Sequence, residues 1–470
     1  MHRQSQKLLA FFRDAEYYRL LAKFAFPIAL QNLIASSLNM VAVMMLGQLG
    51  EMSVAAVGLA NQVWFLLNLI VFGVVSGAAM FIAQLWGKRD ERNIRRVLGL
   101  TVKLGLVAAL LFWALAIFFP AAFLRLYTED MAVIALGSQY LRIIGWSYGF
   151  FAVTAAYYTA LRSTGNVRLP LVVSISALGL NILLAYPLIF GVNVIHLPAL
   201  GVNGAAIAGL IARLMECAAV LFLVYLDKQS PVAAPLKDLL EVDLSFASKV
   251  LKPVLPVIAN ETLWSLGITT YNSIYGHIGT EAVAAINIVS TIDQMAFVIF
   301  LGLGTATAII VGQAIGQGEM GKAYLYAGRS LLLQGTGAML MGVFVYFFAG
   351  DILQLYKVSP AVIADARAIL TVLSFGMWVR ASNHVIILGI LRSGGDTRFS
   401  LLLDGLVIWF VGVPVTALGA FIFKLPIQFV YALTLSEEAT KFFVGLWRYF
   451  SKRWIHDLTE QVSEITPYDA

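Results

Sequence analysis

Charge is scarce in this chain of 470 residues: Asp, Glu, Lys and Arg together make up 12% of it, about half the share of an ordinary soluble protein. With 60% of the residues apolar, too little polar surface remains to cover a water-soluble fold, and a soluble protein is excluded. Cysteine is nearly absent as well. The lone Cys217 sits in an apolar stretch, which rules out an internal disulfide and any cysteine-based metal site. Low-complexity tracts and sustained heptads are missing, and the disordered and fibrous classes go with them. No His-Glu-x-x-His, no Gly-x-Ser-x-Gly and no phosphate-binding Gly-rich loop with its Lys occurs, so an enzyme is not expected and no cofactor is implied.

What is present in abundance is long apolar runs. A membrane helix takes about 20 residues, and the runs bounded by charge or turn residues number twelve: 20–46, 54–83, 95–119, 131–159, 169–191, 200–226, 251–275, 283–313, 325–349, 361–391, 398–423 and 426–448. The expected class is an all-α polytopic membrane protein. The segment before Ala25 is basic and mixed with Tyr, Phe and Leu, without a small-residue cleavage site, so it reads as an interfacial lead-in and not as a signal peptide.

The net charge of +6 could suggest nucleic acid, but the placement of the cations explains it better. Of the 32 Lys and Arg, 23 fall at the termini and even-numbered connections, among them Lys88, Arg89, Arg92, Arg95 and Arg96 in one loop. Four fall in odd-numbered connections: Arg125, Lys357, Arg367 and Lys424. That asymmetry predicts both termini on the cytoplasmic side of the cell (inner) membrane. No nucleic-acid partner is expected.

The longest polar connection, 227–250, divides the spans six and six and predicts an N-terminal lobe over 1–226 and a C-terminal lobe over 251–470. The halves also resemble each other. Gly47-Gln-Leu-Gly50 with Val54-Ala-Ala56 lines up with Gly276-His-Ile-Gly279 and Val283-Ala-Ala285 at an offset of 229, which also pairs Pro27 with Pro256, Gln84 with Gln313 and Gly87 with Gly316. An offset of 230 pairs Leu161-Arg-Ser163 and Gly165 with Leu391-Arg-Ser393 and Gly395. A constant offset held over most of a half signals internal duplication. With six spans each, both copies enter from the same side, so they are parallel repeats: two pseudo-symmetric six-helix bundles.

This ordered set of motifs over residues 20–450 resembles the multidrug and toxic compound extrusion (MATE) family. The resemblance implies a V-shaped, two-lobed bundle that exports organic cations and other amphiphiles in exchange for Na⁺ or H⁺ by alternating access, and a monomer is expected. In one branch the coupling ion is held by a Glu in the first span of the second half and an Asp in span 10. Glu261 lies in the right span, about one turn nearer Pro256 than that pattern has it, and the span 10 stretch Arg380-Ala-Ser-Asn-His384 has no carboxylate. Another branch uses an Asp in span 1 with Asn and Asp in span 5. Here those places hold Ala42 and the stretch from Asn181 to Ala185, so the first-half ion site of that branch is expected to be absent and coupling to rest on the second half.

Intramembrane carboxylates are costly, and they mark function by default. Glu261 heads a helical stripe with Ser265, Thr269 and Asn272, and the repeat maps Asn32 onto Glu261 and Ser36 onto Ser265. In general a carboxylate buried in this way is harder to ionise when desolvated and easier beside a cation, which lets it load and unload as water access changes. Asp293, near an acidic position of animal members of the family, is expected as a second coupling or cargo-charge residue. Trp264, Arg380, Asn383, His384 and Asp404 complete the candidate cargo site, with Asn181 as a cavity hydrogen-bonding group of the first half. The other aromatic residues, Trp64, Phe65, Tyr157, Tyr158, Tyr271 and Trp378 among them, are candidates for gripping a cation by their ring faces, and each taken singly reads as packing. Arg213 with Glu216, and Glu437 with Lys441, read as helical ion pairs, while Arg162 and Arg392 read as cytoplasmic anchors. The competing readings are a lipid-linked oligosaccharide flippase, which would line its cavity with Arg and Lys where this chain has acids, and a membrane-embedded enzyme.

Overall fold

A computed structural model describes residues 14–192, 198–241, 243–354 and 356–463. The basic lead-in before Asp14 and the last residues of the tail lie outside them. Among the described residues the chain is all-α, with a single antiparallel bridge between Gly395 and Ile455. Nine helices are long and apolar enough to cross a membrane, and we name them in chain order together with three more. They are α1 (Ala15–Gly47), α2 (Glu51–Gly87), α3 (Glu91–Phe118), α5 (Arg168–Phe190), α6 (Gly201–Leu226), α8 (Thr280–Gly316), α9 (Met320–Leu353), α10 (Pro360–Arg392) and α11 (Thr397–Ile422). The three others also match expected spans. In α4 a 3₁₀ turn at Gly145–Ser147 joins Met131–Ile144 to Tyr148–Ser163. α7 is the 35-residue helix Leu244–Ile278, and α12 is Ile427–Leu433 continued by Leu435–Phe450.

Local chemistry sets the helix ends. The Asp90 carboxylate accepts from the Asn93 backbone N–H at 3.1 Å to start α3, and Ser359 caps α10, whose first residue is Pro360. The duplicated glycines of the Leu-Arg-Ser-x-Gly motif explain themselves. Gly165 and Gly395 have φ of +96° and +80°, left-handed values that a Cβ disfavours, and each turns the chain sharply out of one helix toward the next.

Two compact units result: residues 30–82 with 89–250, and residues 14–29 and 83–88 with 251–463. In the first, an apolar core runs from Val57 and Leu67 of α2 to Tyr148 of α4 and Ala206 of α6, and the start of α3 is tied to the connection after α6. Arg96 donates to the Glu241 carbonyl at 3.0 Å, and its guanidinium lies 4.1 Å from the Phe246 ring. The expected pair of Arg213 and Glu216 forms at 2.8 Å, and Tyr158 adds a hydrogen bond to the same Glu at 2.9 Å.

In the second unit, repeat-related residues meet one another. A Cβ on Gly87 would collide with the backbone of Gln313, and one on Gly316 with the backbone of Gln84, so the duplicated Gln-x-x-Gly lets two helix ends touch backbone to backbone. Gln84 is fully buried and binds three residues of two segments: its amide donates to the Ser393 carbonyl at 2.8 Å and the His456 carbonyl at 3.2 Å, and its oxygen accepts from the Leu458 N–H at 2.8 Å. The start of α1 docks on α9, where Tyr17 and Ser330 hydroxyls lie 2.7 Å apart and Arg329 pairs with Asp14. The Tyr17 backbone N–H and the Arg329 guanidinium hold the Asp14 carboxyl below the usual carboxylate range.

The tail after α12 is thus folded against the unit. Trp454 is wholly buried, its indole N–H donating to the Tyr449 carbonyl at 3.1 Å and its ring lying against Gly394. Trp454→Ala should cost about 3–5 kcal/mol by cavity formation, read as a lower thermal midpoint in detergent and faster tryptic cleavage after Lys452 and Arg453. An unchanged midpoint would mean that the tail's packing does not support the bundle.

Candidate functional site: a buried carboxylate network in the second half

Proline and wide turns shape the helices that carry the network. Pro253 and Pro256 lie inside α7, each removing one backbone donor. The last part of α10, Val385–Arg392, and three stretches of α11, Leu401–Leu406, Ile408–Gly412 and Leu418–Ile422, are π-helical. Such turns spend an extra residue per turn and rotate the side chains that follow, and they recur at functional sites. In α11 one of them runs into Val413 and Pro414, whose missing N–H it accommodates.

Four polar links tie these helices together. Glu261 of α7 pairs with Arg392 at 2.6 Å, and Asp293 of α8 pairs with Arg380 of α10 at 2.9 Å. Lys441 of α12 lies between Asp404 of α11, at 2.8 Å, and Glu437 one turn before it on its own helix. The remaining valences of that triad are met by neutral donors: Asn260 of α7 to Asp404 at 2.9 Å, and the Tyr271 hydroxyl to Glu437. Fourth, the Asn383 amide of α10 donates to both the backbone carbonyl and the carboxylate of Glu438, each at 2.7 Å. Lys441 and Glu437 are 2% and 3% exposed. An uncompensated ion at such a depth costs several kcal/mol, which makes the pairing obligatory.

The expected pairing of Glu437 with Lys441 is therefore one edge of a larger set that includes Asp404. The reading of Arg392 as a cytoplasmic anchor is corrected: only 2% exposed, it is the partner of Glu261. Arg162, its repeat mate, is half-buried and donates to the Gln31 side chain at 2.6 Å. Both arginines stand where their motif resembles a short basic turn, and only the packed helices show that each points inward. Gln31 and Asn260, one position before Asn32 and Glu261, also bond across helices, to Arg162 and to Asp404.

Of the stripe itself, Glu261 and Ser265 are inside, whereas Thr269 and Asn272 are exposed, as is Trp264. The structure does not gather them into one lining. His384 stands edge-on to Phe297 with ring centroids 5.6 Å apart, and its Nδ1 has no hydrogen-bond partner. Gly304 makes room for it, since a Cβ there would come within 2.7 Å of that nitrogen. Asn32, Ser36 and Asn181 belong to the other unit, with Asn32 and Asn181 half-buried and Ser36 exposed. Tyr157 and Tyr158 serve packing through bonds to Tyr225 and Glu216.

Comparison with known proteins places this geometry. A family model described as MatE matches the chain twice, over residues 27–187 and 256–418. The two matches begin 229 residues apart, the offset of the repeat. The chain is 27% identical over 418 residues to the probable multidrug resistance protein YoeA of Bacillus subtilis, spanning 88% of this chain and 89% of that protein. It is 28% identical over 421 residues to the probable multidrug resistance protein NorM of Bradyrhizobium diazoefficiens, spanning 85% and 86%. Among solved structures, a mutant of the Vibrio cholerae MATE transporter VcmN superposes with a TM-score of 0.85 at 20% identity, over 95% of this chain and 99% of that one. A MOP superfamily transporter from Pyrococcus furiosus gives 0.83 at 19%, over 93% and 97%.

Proposed function

The chain belongs to the MATE family of multidrug efflux transporters, and from that premise we propose that it exports organic cations and amphiphiles in exchange for H⁺ by alternating access. The observation that carries this reading is the charge of the second-half network. Five carboxylates, Glu261, Asp293, Asp404, Glu437 and Glu438, stand in mid-span against Arg380, Arg392 and Lys441, an excess of two acids. A low-dielectric site with surplus negative charge attracts cations and rejects the pyrophosphate of a lipid-linked sugar.

The choice of H⁺ over Na⁺ follows from ligand economy. Desolvated sodium asks for several converging hard oxygens, whereas Glu261 and Asp293 are each engaged by an arginine and the span 10 stretch from Arg380 to His384 offers no carboxylate. A proton needs a single acid. In this reading a proton arriving from outside neutralises Glu261, dissolves its pair with Arg392 and frees α7 from the end of α10, and the return to the paired state releases the proton inward. Both termini face the cytoplasm, the cation asymmetry being the ground for that orientation, and the monomer is the working unit in the cell membrane.

Proteoliposomes with separately imposed pH and Na⁺ gradients test it. A pH gradient alone should drive flux of a fluorescent organic cation, and a Na⁺ gradient alone should not. Flux driven only by Na⁺ would overturn the proton, and flux indifferent to both gradients would overturn antiport.

A further inference from the structure

Each of the two carboxylates expected to couple ions has its own arginine, so the two surplus acids lie elsewhere. They fall in the group of Asp404, Glu437 and Glu438, which shares the single cation Lys441. Within it Asp404 and Glu437 contact the ammonium directly. Glu438 makes no ion pair among the described residues: its carboxylate is held at 2.7 Å by the neutral amide of Asn383. It also differs in access. Glu437 is sealed, while Glu438 is half-buried, as are the Asp293 and Arg380 side chains near it. Asn383 adds an independent sign, because it is 3% exposed and its amide oxygen, on the same group that holds Glu438, has no partner. A buried acceptor without a donor is costly, and a carboxylic acid O–H is the donor that would satisfy it.

We propose that Glu438 is the residue at which a proton and the cationic cargo compete, a proposal that rests on the H⁺ antiport reading and assigns the exchange to a different residue from the Glu261 switch. When protonated, Glu438 donates toward the Asn383 amide and the network loses one of its surplus charges. When a cationic cargo approaches, Glu438 gives its proton to water and the cargo's positive charge takes the proton's place, so the charge balance is the same before and after. Mutual exclusion at one carboxylate is what antiport demands of a carrier. Lys441 meanwhile keeps Glu437 and Asp404 occupied, so that only one acid of the three is free to exchange.

The groups that interact with Glu438 bear on that division. On α12 these are Glu437, Lys441 and Tyr431; α7 brings Tyr271, and α10 brings Arg380 beside the Asn383 amide. Arg380 is engaged by Asp293 and Lys441 by its two acids. Both cations act on Glu438 from a distance, and neither forms an ion pair with it among the described residues.

The test is dye-linked proton release by the purified full-length transporter in weakly buffered detergent, using a fluorescent organic cation, together with the pH dependence of its affinity. The wild type should release about one proton per dye bound, and its affinity should rise about tenfold per pH unit across the titration. Glu438→Gln should bind dye with nearly pH-independent affinity and release no proton, while Glu438→Asp should restore release. Should the Gln variant not fold, infrared difference spectra decide: dye should abolish a carboxylic-acid carbonyl band in the wild type, and Glu438→Asp should shift that band. Persistent proton release in Glu438→Gln, its loss in Glu261→Gln instead, or a band unmoved by Glu438→Asp would overturn the proposal alone. A wild type that binds dye without releasing any proton would overturn the H⁺ antiport reading and this proposal with it.

Discussion

Lys441→Met should be the most damaging single change in the second half, lowering stability by about 3–5 kcal/mol. It deletes the one ammonium that Asp404 and Glu437 share and leaves two buried carboxylates hydrogen-bonded by the neutral donors Asn260 and Tyr271. Thermal unfolding in detergent, followed by tryptophan fluorescence, measures the loss. Neutralising the acids at the same time, in Lys441→Met with Asp404→Asn and Glu437→Gln, should recover most of it, because the cost lies in the orphaned charges more than in the missing contact. If the triple variant were no more stable than the single one, packing around the Lys stem would be the cause, and the electrostatic account of α12 would fail.

Glu261→Gln should abolish ion-coupled export, by at least about tenfold, while dye binding stays within about threefold of the wild type. Gln stands in for the permanently protonated carboxyl, so the pair with Arg392 cannot re-form and the cycle stops after cargo is loaded. Arg392→Met, made in parallel, should also stop export. It should be less stable than the wild type, because it leaves Glu261 charged among buried neighbours, and combining it with Glu261→Gln should regain stability without regaining export. Parallel flux assays in proteoliposomes and melting curves read both quantities. Export that survived Glu261→Gln would remove this pair from the mechanism.

Some of these features are written in short stretches of sequence. Pro256, Glu261 and Ser265 fall on one helix with fixed spacing, and the Glu437-to-Lys441 interval is that of a helical ion pair, so both follow from local geometry. The partners of Glu261 and Asp404 do not. Glu261 and Arg392 are 131 residues apart, and Asp404 and Lys441 belong to different helices; neither interval has a period to betray it. Arg392 is the clearest case. Its motif, repeated at Arg162, resembles an interfacial anchor, and its inward direction comes from the π-helical turns that end α10 just before Gly395 reverses the chain.

The sequence by itself determined the class, the twelve spans and the internal duplication. These are fixed by hydrophobic run length and by a constant offset, both properties of chain order that survive whatever the helices pack against. Tertiary structure alone decided which acids are neutralised and which are left over. Among buried charges each contact is worth several kcal/mol and falls off within a few ångströms, so assigning five carboxylates to three cations depends on helix rotation and on wide turns. Those are settled only when α7, α8, α10, α11 and α12 pack together, and the surplus they leave falls on Glu438 and its neighbours.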